Sequence, residues 1–424
     1  MIADTVAELE NSPADLDLLS GGLTTKLCRN FSTMNPVRIA ELNNLLTNLI
    51  QSAEGISDLI FVTGKPPQAE IYGRLITPPG CTEPVLDGAR TESIAFSLIS
   101  GNERLIKDLA ESGSCDCSYS LEGICRFRVN IYRQIGNYAI VLRRLSSAVP
   151  TMEQLGLLPV FYDIIKEKTG LIFVTGGTGS GKTTTLAALL NEVNIKHEYH
   201  VVTLEDPVEF VHPQLNCTFS QRELGRDFYH FPDGLRAALR QAPKIILVGE
   251  IRDRDTMEIA LTAGETGHVV FSTLHTISAG QTINRILGMF SKDEEQQVRE
   301  RLAGSLRYVV SQRLVPKKEG GRLLITELMG SNLRSREAIQ LGEAENRRFS
   351  EIIEAGGTMG WHSFEQSLCK AYEEDLITHE TAMLYSVNKQ TMHQRLDAIS
   401  KRTSSLEMHG LKMANVPRRV PGAK

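Results

Sequence analysis

The spacing of apolar residues near the start of the chain predicts a helix between residues 36 and 52. Five of them recur every three or four positions: Leu42, Leu45, Leu46, Leu49 and Ile50. The stretches DLIFVTG and AEIYGRLI follow, and the turn-forming KPP between them predicts a β-hairpin. Helical patterns near 90–100 and 102–112 then precede strands in CRFRVNIYRQIGNYAIVLRRL. These patterns predict a mixed α/β domain over residues 34–147.

A different pattern begins after a proline-containing linker, residues 148–159. From residue 160 to 330, short apolar runs alternate with helical stretches, and four of the runs are LIFVTG, HVVTLED, KIILVGE and HVVFSTLH. This alternation is typical of a parallel sheet covered on both faces. Residues 331–402 are predicted to be mainly helical. The polar segments 1–33 and 403–424 lack sustained periodicity, and we interpret them as a flexible arm and a flexible tail.

Composition narrows the class of protein. The chain has 424 residues, of which 41% are hydrophobic and 23% charged, as expected for a soluble protein of two or three domains. A net charge of −5 argues against a protein that coats nucleic acid. The acidic start lacks the features of a secretory signal, and no apolar run approaches the roughly 20 residues that span a bilayer. We therefore predict a cytoplasmic protein.

The seven cysteines are scattered, which favours reduced thiols over a disulfide framework. Cys115, Cys117 and Cys125 lie close together in the sequence. They lack the paired spacing of a structural zinc site, and no histidine is near them. We interpret them as strand cysteines.

The strongest chemical motif is GGTGSGKTTTL, which follows a predicted buried strand and opens a predicted helix. Its pattern G-x-x-x-x-G-K-T turns backbone N–H groups toward phosphate oxygens. Lys182 is expected to reach the β- and γ-phosphates of ATP, and the Thr183 hydroxyl to bind Mg²⁺. The predicted nucleotide-binding residues are Gly176, Gly177, Thr178, Gly179, Ser180, Gly181, Lys182, Thr183 and Thr184.

Two other predicted strands end in acids. TLEDPVEFVH supplies Glu205, Asp206 and Glu209, which are either helix-capping, solvated acids or magnesium-binding groups, and the nearby phosphate loop favours magnesium. In IILVGEIRD, Gly249 stands where many nucleotide-hydrolysing proteins carry a metal-binding aspartate. This raises the question of whether Glu250 is still a catalytic base.

The strand in GHVVFSTLHT has a histidine on each side, His268 and His275. A histidine near the γ-phosphate can sense the nucleotide state through a hydrogen bond. A structural role is an equally good interpretation from the residues alone.

Four segments in order resemble the Walker A, Asp-box, Walker B and His-box motifs of the secretion superfamily of hexameric ATPases: GGTGSGKTTTL, TLEDPVEFVH, LRAALRQAPKIILVGEIRD and ALTAGETGHVVFSTLHT. The resemblance is greatest to the PilT/PilU type of twitching-motility ATPase and runs from about residue 39 to 399. It implies an N-terminal PAS-like domain, a RecA-like P-loop domain and a helical C-terminal region. It also implies ATP hydrolysis with Mg²⁺.

In that family the Walker B strand ends Gly-Glu, as it does here. The resemblance implies that Glu250 activates the attacking water, that Glu209 and the other Asp-box acids organise Mg²⁺, and that His275 lies at the γ-phosphate. It further implies arginines supplied by a neighbouring subunit. Arg128 and Arg143 match best, with Arg126, Arg133 and Arg144 as possible helpers. Arginine suits this role because its planar fork spreads fixed charge over phosphoryl oxygens.

The resemblance therefore implies a homohexameric motor for type IV pilus retraction. Such a motor works on a platform protein of the inner membrane and associates with the membrane peripherally, through that partner. The C-terminal stretch NLRSREAIQLGE, residues 332–343, matches the retraction motif of the family only loosely. No four-cysteine zinc module follows the His box, since there is no cysteine between Cys217 and Cys369.

Three alternatives stay open at the level of sequence. The first is a secretion-system ATPase of the DotB kind, which shares the core. The second is a nucleic-acid translocase, against which the net acidity argues. The third is a nucleotide-gated scaffold without turnover, which the presence of Lys182, Thr183 and Glu250 makes a poor fit.

Overall fold

The structure, a computed structural model, describes residues 36–145 and 148–408. These residues form two compact units. The first contains the described residues up to Val149, together with Glu205–Val211 and Glu223–Phe228, and the second contains the rest. The predicted flexible arm, residues 1–33, lies outside the described residues.

The first unit has three helices and a six-stranded sheet. In chain order its elements are α1 (Pro36–Gln51), β1 (Ile56–Phe61), β2 (Gln68–Ile71), β3 (Arg74–Ile76), α2 (Gly88–Ile99), α3 (Glu103–Glu111), β4 (Ser114–Leu121), β5 (Cys125–Gln134) and β6 (Asn137–Leu145). The strands lie in the order β3-β2-β1-β6-β5-β4, and all neighbours are antiparallel.

One face of this sheet forms the core. Along β5, Phe127, Val129 and Ile131 are fully buried, whereas Arg126 and Arg128 alternate with them on the other face. The helices pack against the buried face through their own apolar residues, as the spacing in α1 predicts. The other face of the sheet therefore carries charged side chains.

Side-chain caps fix where α2 and α3 begin. The Asp87 carboxylate accepts a hydrogen bond from the Arg90 N–H at 2.7 Å, and the Asn102 amide oxygen accepts from the Arg104 and Leu105 N–H groups. Aspartate and asparagine are favoured at this position because they satisfy N–H groups that the first helical turn leaves unpaired.

The hairpin predicted around KPP is present, but the strand predicted from AEIYGRLI is two strands. Tyr72 and Gly73 both have positive φ angles, 50° and 80°, between β2 and β3. Two such residues in succession make the tight turn whose twist matches that of the flanking strands. The apolar pattern continues through this turn, so the pattern alone does not reveal the second hairpin.

The second unit is built on a seven-stranded sheet. Its elements are α4 (Val160–Ile164), β7 (Gly170–Thr175), α5 (Lys182–Lys196), β8 (His200–Glu205), β9 (Thr218–Glu223), α6 (Phe231–Ala238), β10 (Ile245–Val248), α7 (Arg254–Glu265), β11 (Val269–Leu274), α8 (Ala279–Leu287), α9 (Glu295–Ser305), β12 (Leu306–Pro316), β13 (Arg322–Gly330), α10 (Leu333–Leu341), α11 (Phe349–Ala355), α12 (Phe364–Glu373), α13 (His379–Tyr385) and α14 (Lys389–Met408).

The strands of this sheet lie in the order β13-β12-β7-β11-β10-β8-β9. From β12 to β8 each neighbouring pair is parallel, and β13 runs antiparallel to β12. Every residue of β7, β10 and β11 is buried, so both faces of the sheet are covered there, as the continuous apolar runs predict. The carboxyl ends of β7, β10 and β11 therefore meet at one edge.

The C-terminal helices enclose a second, smaller core. Val315 of β12 and Ile325 of β13 pack with Phe364, Leu368 and Leu396. This part of the chain is helical from α10 onward, as predicted. Helix α14 ends at Met408 and so includes the first residues of the segment that we predict as a tail, while residues 409–424 lie outside the described part.

Among the helices that the structure describes, none combines the length and apolar character needed to cross a lipid bilayer.

Candidate active site

The glycine-rich loop connects β7 to α5 and is shaped by its own backbone. Gly176, Gly179 and Gly181 have φ angles of 147°, 76° and 89°, which side-chain-bearing residues rarely adopt. The Lys182 ammonium donates to the carbonyls of Gly176 and Gly177 at 2.9 and 3.0 Å. Contacts within this one segment therefore fix the position of Lys182 and of the first turn of α5.

Gly176 occupies the tightest position of this loop. A Cβ atom there would lie 2.5 Å from the Ser180 Oγ and 2.6 Å from the backbone oxygen of Gln312. Gln312 lies on β12, and its amide also donates to the Thr185 hydroxyl at 2.8 Å in a buried contact. Strand β12 thus fixes both the beginning of the loop and the first turns of α5.

The loop suits an anionic ligand. It ends at the N-terminus of α5, where unpaired N–H groups and the helix dipole favour negative charge. The Ser180 side chain is 7% exposed, and its Oγ has no hydrogen-bond partner among the described residues. A phosphate oxygen would satisfy this buried hydroxyl, so the observed groups fit a nucleotide phosphate.

A cavity of about 560 Å³ lies beside the loop. Its lining includes Gly181, Thr184 and Thr185 from the loop and α5, with Leu314 and Leu324 from β12 and β13. This volume lies within the roughly 300 to 1,000 Å³ of small-molecule sites in proteins. The cavity therefore offers mixed apolar and polar walls next to the phosphate loop, as a base and sugar require.

Glu250 lies just beyond the end of β10, at the same sheet edge. Its side chain is 17% exposed, and its Oε2 lies 3.5 Å from the His275 Nε2. Arg252 donates a hydrogen bond to the other oxygen. The Thr273 hydroxyl donates to the Gly249 carbonyl at 2.7 Å, which ties the end of β10 to β11. The Glu250 carboxylate thus contacts His275 and Arg252 at the sheet edge that also carries the phosphate loop.

The two histidines flanking β11 lie at opposite ends of that strand. His275 follows its carboxyl end, next to Glu250. His268 precedes its amino end, and its Nδ1 lies 3.2 Å from the Ala263 carbonyl at the end of α7. Only His275 shares the sheet edge with the loop, because six strand residues separate the two histidines. The contact of His268 that we describe is therefore a local one, with the end of the preceding helix.

We call Glu205–Val211 the acidic segment, because it contains all three predicted metal-binding acids. It belongs to the first unit by its contacts. Glu205 is buried at the end of β8, Asp206 is exposed and Glu209 is half-buried. Hydroxyl and carboxylate oxygens such as those of Thr183 and these acids are the donors that Mg²⁺ prefers. The structure describes no cluster of three or more His, Cys, Asp or Glu side chains able to hold a metal by themselves.

The two arginines that best match a role in trans lie on the sheet face of the first unit that carries charged side chains. Arg128 of β5 is directly opposite Arg143 of β6, which in turn is opposite Asp58 of β1. Opposed residues on neighbouring strands present their side chains on the same face. Arg128 is exposed, and Arg143 is 69% exposed and donates to Asp58 at 3.0 Å. The register thus brings together the two arginines that the sequence singles out.

The remaining candidates differ in their surroundings. Arg126 is on the same face but is paired with Glu223 of its own chain at 3.0 Å. Arg133 lies over the Tyr138 ring, with 6.0 Å between its guanidinium carbon and the ring centroid. Arg144 directly follows Arg143, and alternation along the strand turns it to the other face.

The three clustered cysteines are strand residues, as predicted. Cys115 and Cys117 belong to β4, and Cys125 is the first residue of β5. Burial is the main reason that the pKa of Cys115 and Cys117 is raised to about 12, and nearby acids contribute to the same rise. These thiols therefore stay protonated at neutral pH.

Sequence reasoning missed several residues that shape the site. Gln312 and Leu314 follow the loop by about 130 residues, and no local motif marks them. Arg252 lies two residues after the predicted base, and its charge so close to Glu250 in the chain is the one signal that the sequence offered. Glu223 carries no motif at all.

These features define a P-loop nucleotide-binding protein. A strand leads through a glycine-rich loop with a lysine into a helix, and an acid lies at the same edge of the parallel sheet. The profile of the Type II/IV secretion system protein family matches residues 115–414. The chain belongs to this family.

Individual relatives agree with this assignment. The chain is 40% identical to the Type IV pilus retractation ATPase PilT of Pseudomonas aeruginosa over 78% of its own length and 94% of that protein. It is similar to a crystal structure of the pilus retraction motor PilT with bound ADP, with a TM-score of 0.74, 38% identity and coverage of 83% and 98% of the two chains. An X-ray structure of the Legionella pneumophila ATPase DotB gives a TM-score of 0.71, 28% identity and coverage of 82% and 95%.

Proposed function

We propose that this protein is a Mg²⁺-dependent ATPase that powers the retraction of type IV pili. The observation that carries the proposal is the arrangement at one sheet edge of the phosphate loop, Lys182, and a Glu250 carboxylate held by His275. The family and the names of its PilT relatives then favour a pilus motor. In fold terms, we propose a PAS-like first domain and a RecA-like second domain.

The chemistry follows from the groups in the site. A water oxygen attacks the γ-phosphorus, its proton passes to the Glu250 carboxylate, and the bond from that phosphorus to the bridging oxygen of ADP breaks. Lys182 and the N–H groups of the loop hold the phosphates. Bound Mg²⁺ would neutralise charge on the phosphate oxygens, with Thr183, Glu205, Asp206 and Glu209 as its protein groups.

His275 and Arg252 orient the proposed base. Both approach the Glu250 carboxylate, one at each oxygen, so its position is fixed before the water arrives. An oriented carboxylate contributes more to rate than a mobile one, because no reorganisation is needed in the transition state. We propose that His275 also responds to the γ-phosphate, since it lies at the same edge as the loop.

We propose that the active assembly is a homohexameric ring in which Arg128 and Arg143 complete the site of a neighbouring subunit. Their exposure and their common face support this role, because neither is buried within its own unit. Fixed positive charge supplied in this way accelerates phosphoryl transfer by roughly 10³ to 10⁵ in comparable systems. Hydrolysis would then depend on assembly.

The proposed partner is a platform protein of the pilus in the inner membrane, reached from the cytoplasmic side. Helix α10 carries the stretch that loosely matches the retraction motif of the family. Its Leu333 and Leu341 are 84% and 62% exposed. Exposed apolar side chains of this kind are available for a partner surface.

The base is tested by Glu250→Gln. We expect nucleotide binding and ring assembly to be kept, while turnover falls by roughly 10² to 10⁴. Steady-state hydrolysis, nucleotide titration and sedimentation measure the three properties. Turnover close to that of the unchanged protein would remove Glu250 from this role.

The shared site is tested by mixing two inactive variants, Arg128→Ala and Glu250→Gln. In a ring with shared sites, some interfaces combine an intact arginine with an intact base, so part of the activity returns on co-assembly. Recovery of no activity would argue against arginines acting in trans.

A secretion-system ATPase of the DotB kind is a second candidate, favoured by the similarity to that structure. Pilus number and length in a deletion strain separate the two functions. Excess pili support retraction, whereas unchanged pili favour secretion and bald cells favour pilus extension.

A further inference from the structure

The backbone of the acidic segment is held at Val208 on both sides. The Val208 N–H donates to the Glu223 Oε2 at 3.2 Å, and the Val208 carbonyl accepts from the Arg126 Nη1 at 2.9 Å. Arg126 and Glu223 also pair with each other, with the Arg126 Nη2 3.0 Å from the Glu223 Oε2. The three groups close a small cycle around the backbone of one residue, Val208.

Hydroxyl groups of β4 extend this network. The Ser118 hydroxyl donates to the Glu223 carboxylate, and the Arg126 Nη2 lies 3.3 Å from the same hydroxyl. The Arg126 Nε contacts the Ser120 hydroxyl, also at 3.3 Å. All three guanidinium nitrogens of Arg126 are therefore engaged within this chain. The side chains of Arg126 and Glu223 are only 19% and 9% exposed, which shields their attraction from solvent.

The cycle matters for the site because Val208 directly precedes Glu209 in the chain. The held carbonyl belongs to the peptide bond that joins Val208 to Glu209, and the Val208 side chain is 5% exposed. Fixing this peptide fixes the N and Cα atoms of Glu209, which lie in the same plane, and so limits the positions that the Glu209 side chain can reach. Glu209 itself is half-buried.

We propose that Arg126 and Glu223 are positioning residues that hold Glu209 for ATP hydrolysis, in the same chain as the Glu209 that they serve. The inference rests on the proposed role of Glu209. It gives Arg126 a role distinct from that of Arg128, which is exposed on the same face. Arg126 acts on the backbone of its own acidic segment rather than on the phosphates of a neighbouring site.

A mixing experiment separates the two roles of Arg126. Arg126→Gln and Glu209→Gln are first measured alone, and both are expected to lose turnover, Arg126→Gln by roughly 10- to 100-fold. The two variants are then co-expressed with different tags, and mixed rings are purified through both tags. If Arg126 serves its own Glu209, every site has one defect and no activity returns.

The opposite result has a clear signature. If Arg126 acted on a neighbouring site, roughly a quarter of the sites in randomly mixed rings would be intact, and activity would return to that extent. Such a recovery overturns the inference. The Arg128→Ala and Glu250→Gln pair, for which recovery is expected, is the positive control. Failure of that control counts against the proposed shared site, and hydrogen exchange then decides the inference.

Hydrogen exchange of a peptide covering residues 206–211 measures whether the hydrogen bonds around Val208 are intact, and it does not depend on ATP hydrolysis. We expect Arg126→Gln and Glu223→Gln to accelerate exchange of this peptide by about tenfold or more. Glu223→Gln weakens the acceptor of the Val208 N–H, and Arg126→Gln removes the group that holds both that acceptor and the Val208 carbonyl. Asn130→Ala is the matched control. It removes a hydrogen bond of 3.2 Å to Asp116 on the same two strands, away from the acidic segment. Unchanged exchange in Arg126→Gln would overturn the inference.

The kinetic pattern distinguishes failure of the inference from failure of the proposed function. Loss of kcat in Arg126→Gln with unchanged nucleotide affinity, and smaller loss in Arg126→Lys, supports positioning. If Glu209→Gln alone keeps full turnover, the proposed role of Glu209 is wrong. If Glu209→Gln is inactive while Arg126→Gln keeps kcat within twofold, the inference is wrong and the proposed function stands.

Discussion

The phosphate loop and the acidic segment are held in place in opposite ways. The loop is fixed by its own backbone, through three glycines with positive φ angles and a Lys182 that donates to carbonyls five and six residues away. The acidic segment is fixed by side chains from elsewhere. Arg126 is 82 residues from its acceptor at Val208, and Glu223 is 15 residues from its donor there.

This difference indicates which substitutions should disrupt each segment. A local loop fails when one of its own residues no longer fits, whereas a segment held from a distance fails when a remote pair is broken. Sequence motifs record the first kind of dependence and not the second. The following changes test that contrast, from the largest expected effect to the smallest.

The largest effect is expected from Gly176→Ala. The added Cβ would lie 2.5 Å from the Ser180 Oγ and 2.6 Å from the Gln312 backbone oxygen, at a φ of 147°. The free loop is expected to relieve this strain and overpacking, about 3 kcal/mol or more, by leaving its binding conformation. Restoring that conformation lowers nucleotide affinity by roughly 100-fold or more. Nucleotide titration measures this loss. Gly304→Ala, in α9 with no heavy atom within 4 Å of the new Cβ, is the control and should bind normally.

Breaking the remote pair should come next. Arg126→Met leaves the Glu223 carboxylate buried without its charged partner and should lower the free energy of unfolding by about 3 kcal/mol. The double variant Arg126→Met with Glu223→Gln should be more stable than the sum of the single effects predicts, since it removes both charges. Denaturant unfolding gives the coupling energy. Strict additivity would show that the two residues do not hold the segment together.

A third prediction concerns a remote contact whose energy depends on pH. Glu327 of β13 accepts a hydrogen bond from the Ala279 N–H at the start of α8, 48 residues away. Burial raises the pKa of Glu327 from 4.5 to about 7. Between these values the folded state binds more protons than the unfolded state, so stability falls as pH rises and levels off above about 7.

Glu327→Gln removes this cost while keeping an acceptor for the Ala279 N–H. The gain in unfolding free energy over the unchanged protein should be small near pH 4.5 and reach about 2 to 3 kcal/mol at pH 8. Chemical denaturation at several pH values measures it, with exposed Glu319→Gln as a control for the loss of a charge. A loss of stability at pH 8 would show that the ionised carboxylate stabilises the fold.

The smallest effect is expected from a local cap. The Asp253 carboxylate accepts a hydrogen bond from the Thr256 N–H at 2.8 Å at the start of α7, three residues beyond Glu250. Asp253→Ala should cost about 1 kcal/mol of stability, as loss of an N-cap does elsewhere. Thermal unfolding checks the value. A cost equal to that of Arg126→Met would remove the contrast between local and remote support.

Much of the fold was accessible from the sequence because its patterns are local. The continuous apolar runs predicted the buried strands β7, β10 and β11, and the caps at Asp87 and Asn102 lie where the predicted helices begin. The hairpin between β2 and β3 was missed, because Tyr72 at a positive φ has no turn signature of its own. The two histidines around β11 looked alike in sequence, and only the strand between them places them at opposite ends of the sheet.

The sequence by itself determined the phosphate loop, the buried strand that precedes Glu250, and the row of arginine candidates on β5 and β6. The reason is that loop spacing and strand alternation depend on neighbours along the chain. Only the tertiary structure decided that Arg128 faces Arg143, that Gln312 closes the loop, and that Arg126 holds Val208. Those contacts depend on which strands become neighbours and in what register, and packing of the whole core sets both.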